Sequence, residues 1–211
     1  MRRPALTDRL RRAAGFALLA AAGAVSAQPA VLPPGPVPEV SVDEAARRLA
    51  ASGFAVLMRH ATTESGTGDP PGYTLQDCAS QRNLSAAGRA EAAAAGQALR
   101  ARGVRFDEIR SSAWCRCVDT ARLGFGEPSV WPALNSFFDD RTGAAAQNAA
   151  VRAELQRLAP PRSVLWVTHQ VNITAATGVY PAPGEMVAMR WRDGAARTEF
   201  RFRVAASQVA R

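Results

Sequence analysis

Two histidines, each at the end of an apolar run, are the residues of this chain best suited to chemistry. Phe54 to Met58 runs into Arg59-His60, and Ser163 to Thr168 runs into His169. A short apolar run after a break such as Gly53 reads as a buried strand. In an α/β sheet the carboxyl end of a strand opens on the crevice where ligands bind. A histidine there can serve as nucleophile, base or metal ligand. A third stretch, Ser112 to Ala121, follows a short strand around Ile109 and leads into a helix. That spacing puts Arg116 near a helix start, where backbone N–H groups favour an anion. Two arginines and two histidines in one crevice would make a phosphate-sized anion site, because guanidinium forks match phosphate oxygens in pairs. A neutral imidazole facing phosphorus is a nucleophile, and nearby cations keep it neutral. Arg59, Arg116 and His169 could then stabilise the charge on a transferred phosphoryl group. Two histidines and no Cys-x-x-Cys make no zinc pattern, so no metal is expected.

The elements that must position these residues alternate between strand and helix. Ser41-Val42-Asp43-Glu44 is a capping-box pattern opening a helix from Val42 to about Ala51. After the strand Phe54–Met58, residues 61–82 are rich in Thr, Gly, Pro and Asp without periodicity, and are expected to form a lid beside the site. Ser85 caps an Ala-rich helix to about Arg102, stopped by Gly103. A helix spans Trp114 to Leu123, a short edge strand starts at Val130-Trp131, and residues 144–158 form another helix. Val171–Thr177 is a short helix closed by Gly178. Met186–Trp191 and Thr198–Val204 read as a hairpin around Asp193-Gly194. The alternation predicts an α/β sandwich with a largely parallel sheet.

The N-terminus is expected to be a targeting signal rather than part of this domain. Arg2, Arg3, Arg9, Arg11 and Arg12 precede an apolar run over residues 13–25, and Val25-Ser26-Ala27 has small residues spaced for cleavage. The run is too short to span a bilayer comfortably, so a signal peptide over residues 1–27 is favoured over an uncleaved anchor. Residues 28–40 are a proline-rich linker, and 41–211 the domain. Cleavage would remove five arginines and Asp8, lowering the net charge from +8 to +4. The expected location is periplasmic or secreted, with no stable membrane insertion after cleavage. The remaining arginines are too scattered for a nucleic-acid footprint but suit anionic substrates. The chain has no lysine, which removes Walker-type phosphate loops and Schiff-base chemistry. Three cysteines in an exported chain imply one disulfide and one spare thiol. Cys115 and Cys117 are too close to pair easily, so Cys78 is expected to bond one of them.

The sequence resembles the histidine phosphatase superfamily, the phosphoglycerate mutase-like proteins. Leu57 to Ala61 is similar to that family's Arg-His-Gly/Ala signature. Ser112 to Ala121 resembles its Ser-x-x-x-Arg-Ala-x-Glu-Thr-Ala motif, with Cys117 for Ala and Asp119 for Glu. Val167-Thr168-His169 resembles its late strand-His motif, and Asn83 to Gly88 its Leu-Thr-x-x-Gly helix start. The likeness spans about residues 53–191. It implies a three-layer sandwich with a mostly parallel central sheet and no cofactor. It also implies that His60 is phosphorylated in turnover while Arg59, Arg116 and His169 hold the phosphoryl group. Because Cys117 replaces a small inward-facing residue, the resemblance leaves Cys115 as the partner of Cys78.

The proton donor is where the sequence departs from that pattern. One branch has Asp directly after the second histidine, and here stands Gln170. The other has a Glu in the stretch corresponding to Ala133–Ser136, where none occurs; the nearest carboxylates are Asp139 and Asp140, and Asp139 is the candidate retained. A phosphohistidine or acyl phosphate has a good leaving group and would need no donor. The expected activity is an exported phosphatase acting on phosphate monoesters or related phosphorylated targets. Its partners would be a phosphorylated small molecule or surface component. The narrower alternatives are a phosphatase for lipopolysaccharide sugar phosphate or protein phosphohistidine. The alternative outside enzymes is a non-catalytic phosphate-ligand binding protein.

Overall fold

The computed structural model describes residues 36–51 and 53–204, so the expected signal peptide and most of the linker lie outside the described residues. The described chain runs α1 (Val42–Leu49), β1 (Ala55–Arg59), α2 (Ala86–Ala101), β2 (Glu108–Ser111), α3 (Cys115–Gly124) and β3 (Ser129–Val130). It continues with α4 (Ala144–Arg157), β4 (Val164–Thr168), α5 (Gln170–Thr177), β5 (Met186–Arg192) and β6 (Ala195–Phe202). The strands form one sheet in the order β3-β2-β4-β1-β5-β6. The first four are parallel neighbours; β5 is antiparallel to β1, and β6 to β5.

Successive side chains of a strand point to opposite faces, and here both faces are covered. Val56 and Met58 of β1 with Leu165 and Val167 of β4 pack under α1, α2 and α3. Ala55 and Leu57 with Val164 and Trp166 pack under α4 and α5. These strands are therefore apolar at nearly every position, and the architecture has three layers. Fully burying a side chain such as Leu57 contributes about 1.5–3 kcal/mol. The caps read from sequence are present: Ser41 Oγ accepts from Glu44 N–H at 3.2 Å, and Ser85 Oγ from Gly88 N–H at 3.1 Å. Small residues let α2 lie against α3, since a Cβ at Gly96 would overlap the Gly124 carbonyl oxygen.

Most boundaries fall within two residues of the sequence reading, and two differ more. β6 starts at Ala195, not Thr198, because Asp193 (φ 54°) and Gly194 (φ 71°) close a two-residue turn and the ladder runs up to it. Residues 38–40, assigned to the linker, pair with the outer edge of β6. Val40 N–H donates to the Arg201 carbonyl at 3.0 Å, and Arg201 N–H to the Pro38 carbonyl at 2.9 Å. This covers part of an otherwise open sheet edge. Among the described residues no helix is long and apolar enough to cross a membrane.

Candidate active site

Strand register brings the two histidines together. Arg59 pairs with Thr168 across the parallel β1 and β4, so His60 and His169 each stand one residue beyond. His60 N–H donates to the Thr168 carbonyl at 3.0 Å. The rings lie 5.5 Å apart at 68°. On the other side of β4, Ser112 leaves β2 with its N–H bonded to the Val167 carbonyl at 3.0 Å. Its Oγ sits 2.8 Å from His169 Nε2. α3 begins at Cys115 and carries Arg116 in its first turn. Thr120 of α3 locks this helix to the loop after His60: its Oγ1 accepts from Ala61 N–H at 3.0 Å and donates to the Arg116 carbonyl at 2.7 Å.

The two histidines with Arg59 and Arg116 line one cleft of about 270 Å³, at the carboxyl ends of the parallel strands. Arg59, His60, Arg116, His169 and Asp139 all contribute to its wall, as do Asp69, Arg82, Phe138 and Tyr180. His60 is 4% exposed. Its Nδ1 lies 2.9 Å from the Ala61 carbonyl oxygen, which can only accept. That assigns the ring proton to Nδ1 and leaves the lone pair on Nε2. Burial, with the Arg116 and Arg59 guanidinium groups, pushes the His60 pKa down to about 3. Burial and the neighbouring His60 likewise hold His169 well below its ordinary value. Both imidazoles are thus neutral near pH 7. Arg59 is held by Nη1 donating to the Pro181 carbonyl at 2.9 Å.

Of the two donor candidates, Asp139 lines the cleft, exposed at its rim. Asp140 instead accepts from Thr142 N–H at 2.9 Å. The segment carrying Asp139 is pinned by Asn135, whose Oδ1 accepts from Ala113 N–H at 2.9 Å and whose carbonyl accepts from Asn172 Nδ2 at 2.8 Å. Cys78 and Cys115 form a disulfide with a Cα–Cα distance of 5.7 Å, tying the 61–82 loop to the start of α3. Cys117 is a buried free thiol 3.5 Å from His169 Nε2, and burial pushes its pKa up to about 12.

Asp69 was missed from sequence. Its side chain is 3% exposed and meets Arg116 Nη1 at 2.7 Å. It also accepts from Trp114 Nε1 at 3.0 Å and from Arg82 N–H at 2.9 Å. Burial, the largest single influence, would raise its pKa, but the hydrogen bonds from Arg116, Arg82 N–H and Trp114 with the Arg116 charge together outweigh it and hold the carboxyl below its ordinary value. A carboxylate so held is an anchor, not a proton donor. Arg82, at the end of the same loop, reaches the cleft as well. The one available signal for Asp69 was position: it is one of three carboxylates, with Glu64 and Asp77, in the Gly/Pro-rich loop between two motifs. Among the described residues no group of three or more His, Cys, Asp or Glu could hold a metal ion.

Residues 55–137 match the model of the histidine phosphatase superfamily, branch 1, a span that includes His60 and Arg116. No curated protein matches the sequence significantly. Among solved structures the fold is similar to a phosphoserine phosphatase from Entamoeba histolytica in complex with phosphoserine. That match has a TM-score of 0.53 at 15% identity, over 74% of this chain and 98% of that one. It is similar to an open-reading-frame product of Mycobacterium tuberculosis, with a TM-score of 0.51 at 20% identity, over 69% and 94% of the two chains. The protein histidine phosphatase SixA complexed with tungstate matches with a TM-score of 0.50 at 16% identity, over 71% and 96%.

Proposed function

We propose, on the premise that this chain belongs to the histidine phosphatase superfamily, that it hydrolyses phosphate monoesters or related phosphorylated targets through a phosphohistidine on His60. The observation that carries the reading is the hydrogen bond from His60 Nδ1 to the Ala61 carbonyl. It leaves a neutral, oriented Nε2 lone pair in a cleft that also holds two arginines and a second neutral histidine. In the first step Nε2 attacks phosphorus and the P–O bond to the leaving group breaks. Arg59, Arg116 and His169 stabilise charge on the equatorial oxygens. The leaving oxygen takes a proton from Asp139 or departs as the anion. In the second step water attacks the phosphohistidine, Asp139 takes the water proton, and inorganic phosphate is released with His60 restored.

Of the two carboxylates lining the cleft, Asp69 is spent on Arg116, so Asp139 is the candidate donor. Its exposed position favours substrates with good leaving groups, such as phosphohistidine or acyl phosphate. The signal-like N-terminus and the disulfide support export. An exported enzyme would meet phosphorylated small molecules and phosphorylated surface components, such as lipopolysaccharide sugar phosphates. The purified protein should turn over p-nitrophenyl phosphate, whose leaving group needs little acid help. Binding of inorganic phosphate with no turnover would favour a phosphate-binding protein instead.

A further inference from the structure

We infer that Arg82 is a third phosphoryl-binding arginine, needed because the buried Asp69 carboxylate spends the charge of Arg116. The inference rests on the phosphatase reading of the same cleft. A phosphate monoester is largely a dianion at neutral pH, so its site needs about two uncompensated positive charges. Arg59, Arg82 and Arg116 are the cationic side chains lining the cleft. Arg116 is already paired with Asp69 at 2.7 Å, with both side chains nearly sealed from water. Asp69 is fixed there by Trp114 Nε1 and Arg82 N–H, so it has no reason to leave when an anion arrives. The neutral histidines add donors or a nucleophile, but no charge. Asp139 sits at the exposed rim, where water screens it. The two charges left for a dianion are therefore those of Arg59 and Arg82.

Geometry places Arg82 for this role. Its Nη1 is anchored on the Gly66 carbonyl at 2.6 Å, much as Arg59 is anchored on the Pro181 carbonyl. Its own carbonyl lies 3.5 Å from Arg116 Nη1, so the two arginines are neighbours. The Nε atoms of Arg59, Arg82 and Arg116 are all buried with no hydrogen-bond partner. Buried donors are seldom left unmade, and phosphoryl oxygens are the acceptors that three converging guanidinium groups would share. Burial and the Arg116 charge lower the Arg82 pKa, and the Asp69 carboxylate offsets only part of that.

The test is calorimetric titration of the purified chain with inorganic phosphate, for the wild type, Arg82→Gln and Arg82→Lys. Retention of the Cys78–Cys115 bridge in each variant, by non-reducing peptide mapping, checks that the loop is intact. We expect the wild type to bind one phosphate and Arg82→Gln to bind at least about tenfold more weakly, the size of a lost charge-assisted hydrogen bond. Arg82→Lys, which keeps the charge, should fall between them. Equal affinity in wild type and Arg82→Gln overturns the inference while leaving the phosphatase reading intact. It would mean that Arg82 serves a second anionic group farther along the substrate, or none. A wild type that binds no phosphate overturns both.

Discussion

His60 is neutral well below pH 6 if burial and the flanking arginines set its pKa near 3. The acid limb of kcat/KM should therefore lack an inflection near the ordinary histidine value of about 6.5, and a pH–rate profile checks this. Arg116→Ala should lower kcat/KM by about 10²–10³, and Arg116→Lys should recover little, because the fork that serves both Asp69 and a phosphoryl oxygen is lost. Asp139→Asn should reduce hydrolysis of an alkyl phosphate much more than that of p-nitrophenyl phosphate. Equal small losses on both would remove Asp139 from the mechanism. At this scale the candidate site was half legible. His60, His169, Arg59 and Arg116 were readable because strand ends and a helix start advertise themselves in hydrophobic pattern. Asp69 was not, because its partner Arg116 lies 47 residues away and the loop that carries Asp69 has no period. Arg82 was not legible either, since nothing local shows which way a loop side chain turns.

The strand–helix alternation was legible as a parallel sheet because β1 and β4 are apolar on both faces, which only a sheet covered on both sides requires. The start of β6 was not, since Ala195–Arg197 has the small and polar composition of a turn while long-range pairing with β5 makes it strand. The docking of residues 38–40 on β6 was hidden for a similar reason: proline-rich composition describes backbone stiffness, not the edge it meets. The most consequential element is the 61–82 loop, which carries Asp69 and Arg82 at one end and is bolted to α3 by Cys78–Cys115. A double Cys78→Ser, Cys115→Ser variant should lose about 3–4 kcal/mol in urea unfolding, on the chain-entropy account for a loop of this length. Its KM for p-nitrophenyl phosphate should also rise, because the loop no longer holds Arg116 through Asp69. A variant as stable and as active as the wild type would show that the bridge supports neither fold nor site.

For the molecule as a whole, the two buried histidines link folding to pH. Each has its folded pKa below its unfolded value of about 6.5, so the unfolded state binds more protons below that pH. Stability is then full above about pH 6.5 and falls as the pH drops towards about 3. His60 contributes a slope of up to about 1.4 kcal/mol per pH unit in that window, and His169 adds a slope of the same sign below about pH 6.5. Chemical unfolding between pH 4 and 8 measures it, and a flat profile would mean that the histidines are solvated in the native state. The three-layer sandwich exists, on this account, to hold one imidazole neutral and aimed at phosphorus. The most direct measurement of that claim is the mass of the intact protein after rapid mixing with p-nitrophenyl phosphate and quenching in alkaline denaturant. A good leaving group makes formation of the covalent species fast, so the species should accumulate. The wild type should gain the mass of one phosphoryl group, located on His60 by fragmentation. His60→Ala should gain none and lose at least ~10³-fold in turnover. Turnover near the wild-type rate by His60→Ala, or steady turnover with no phosphoryl group on His60, would contradict the account.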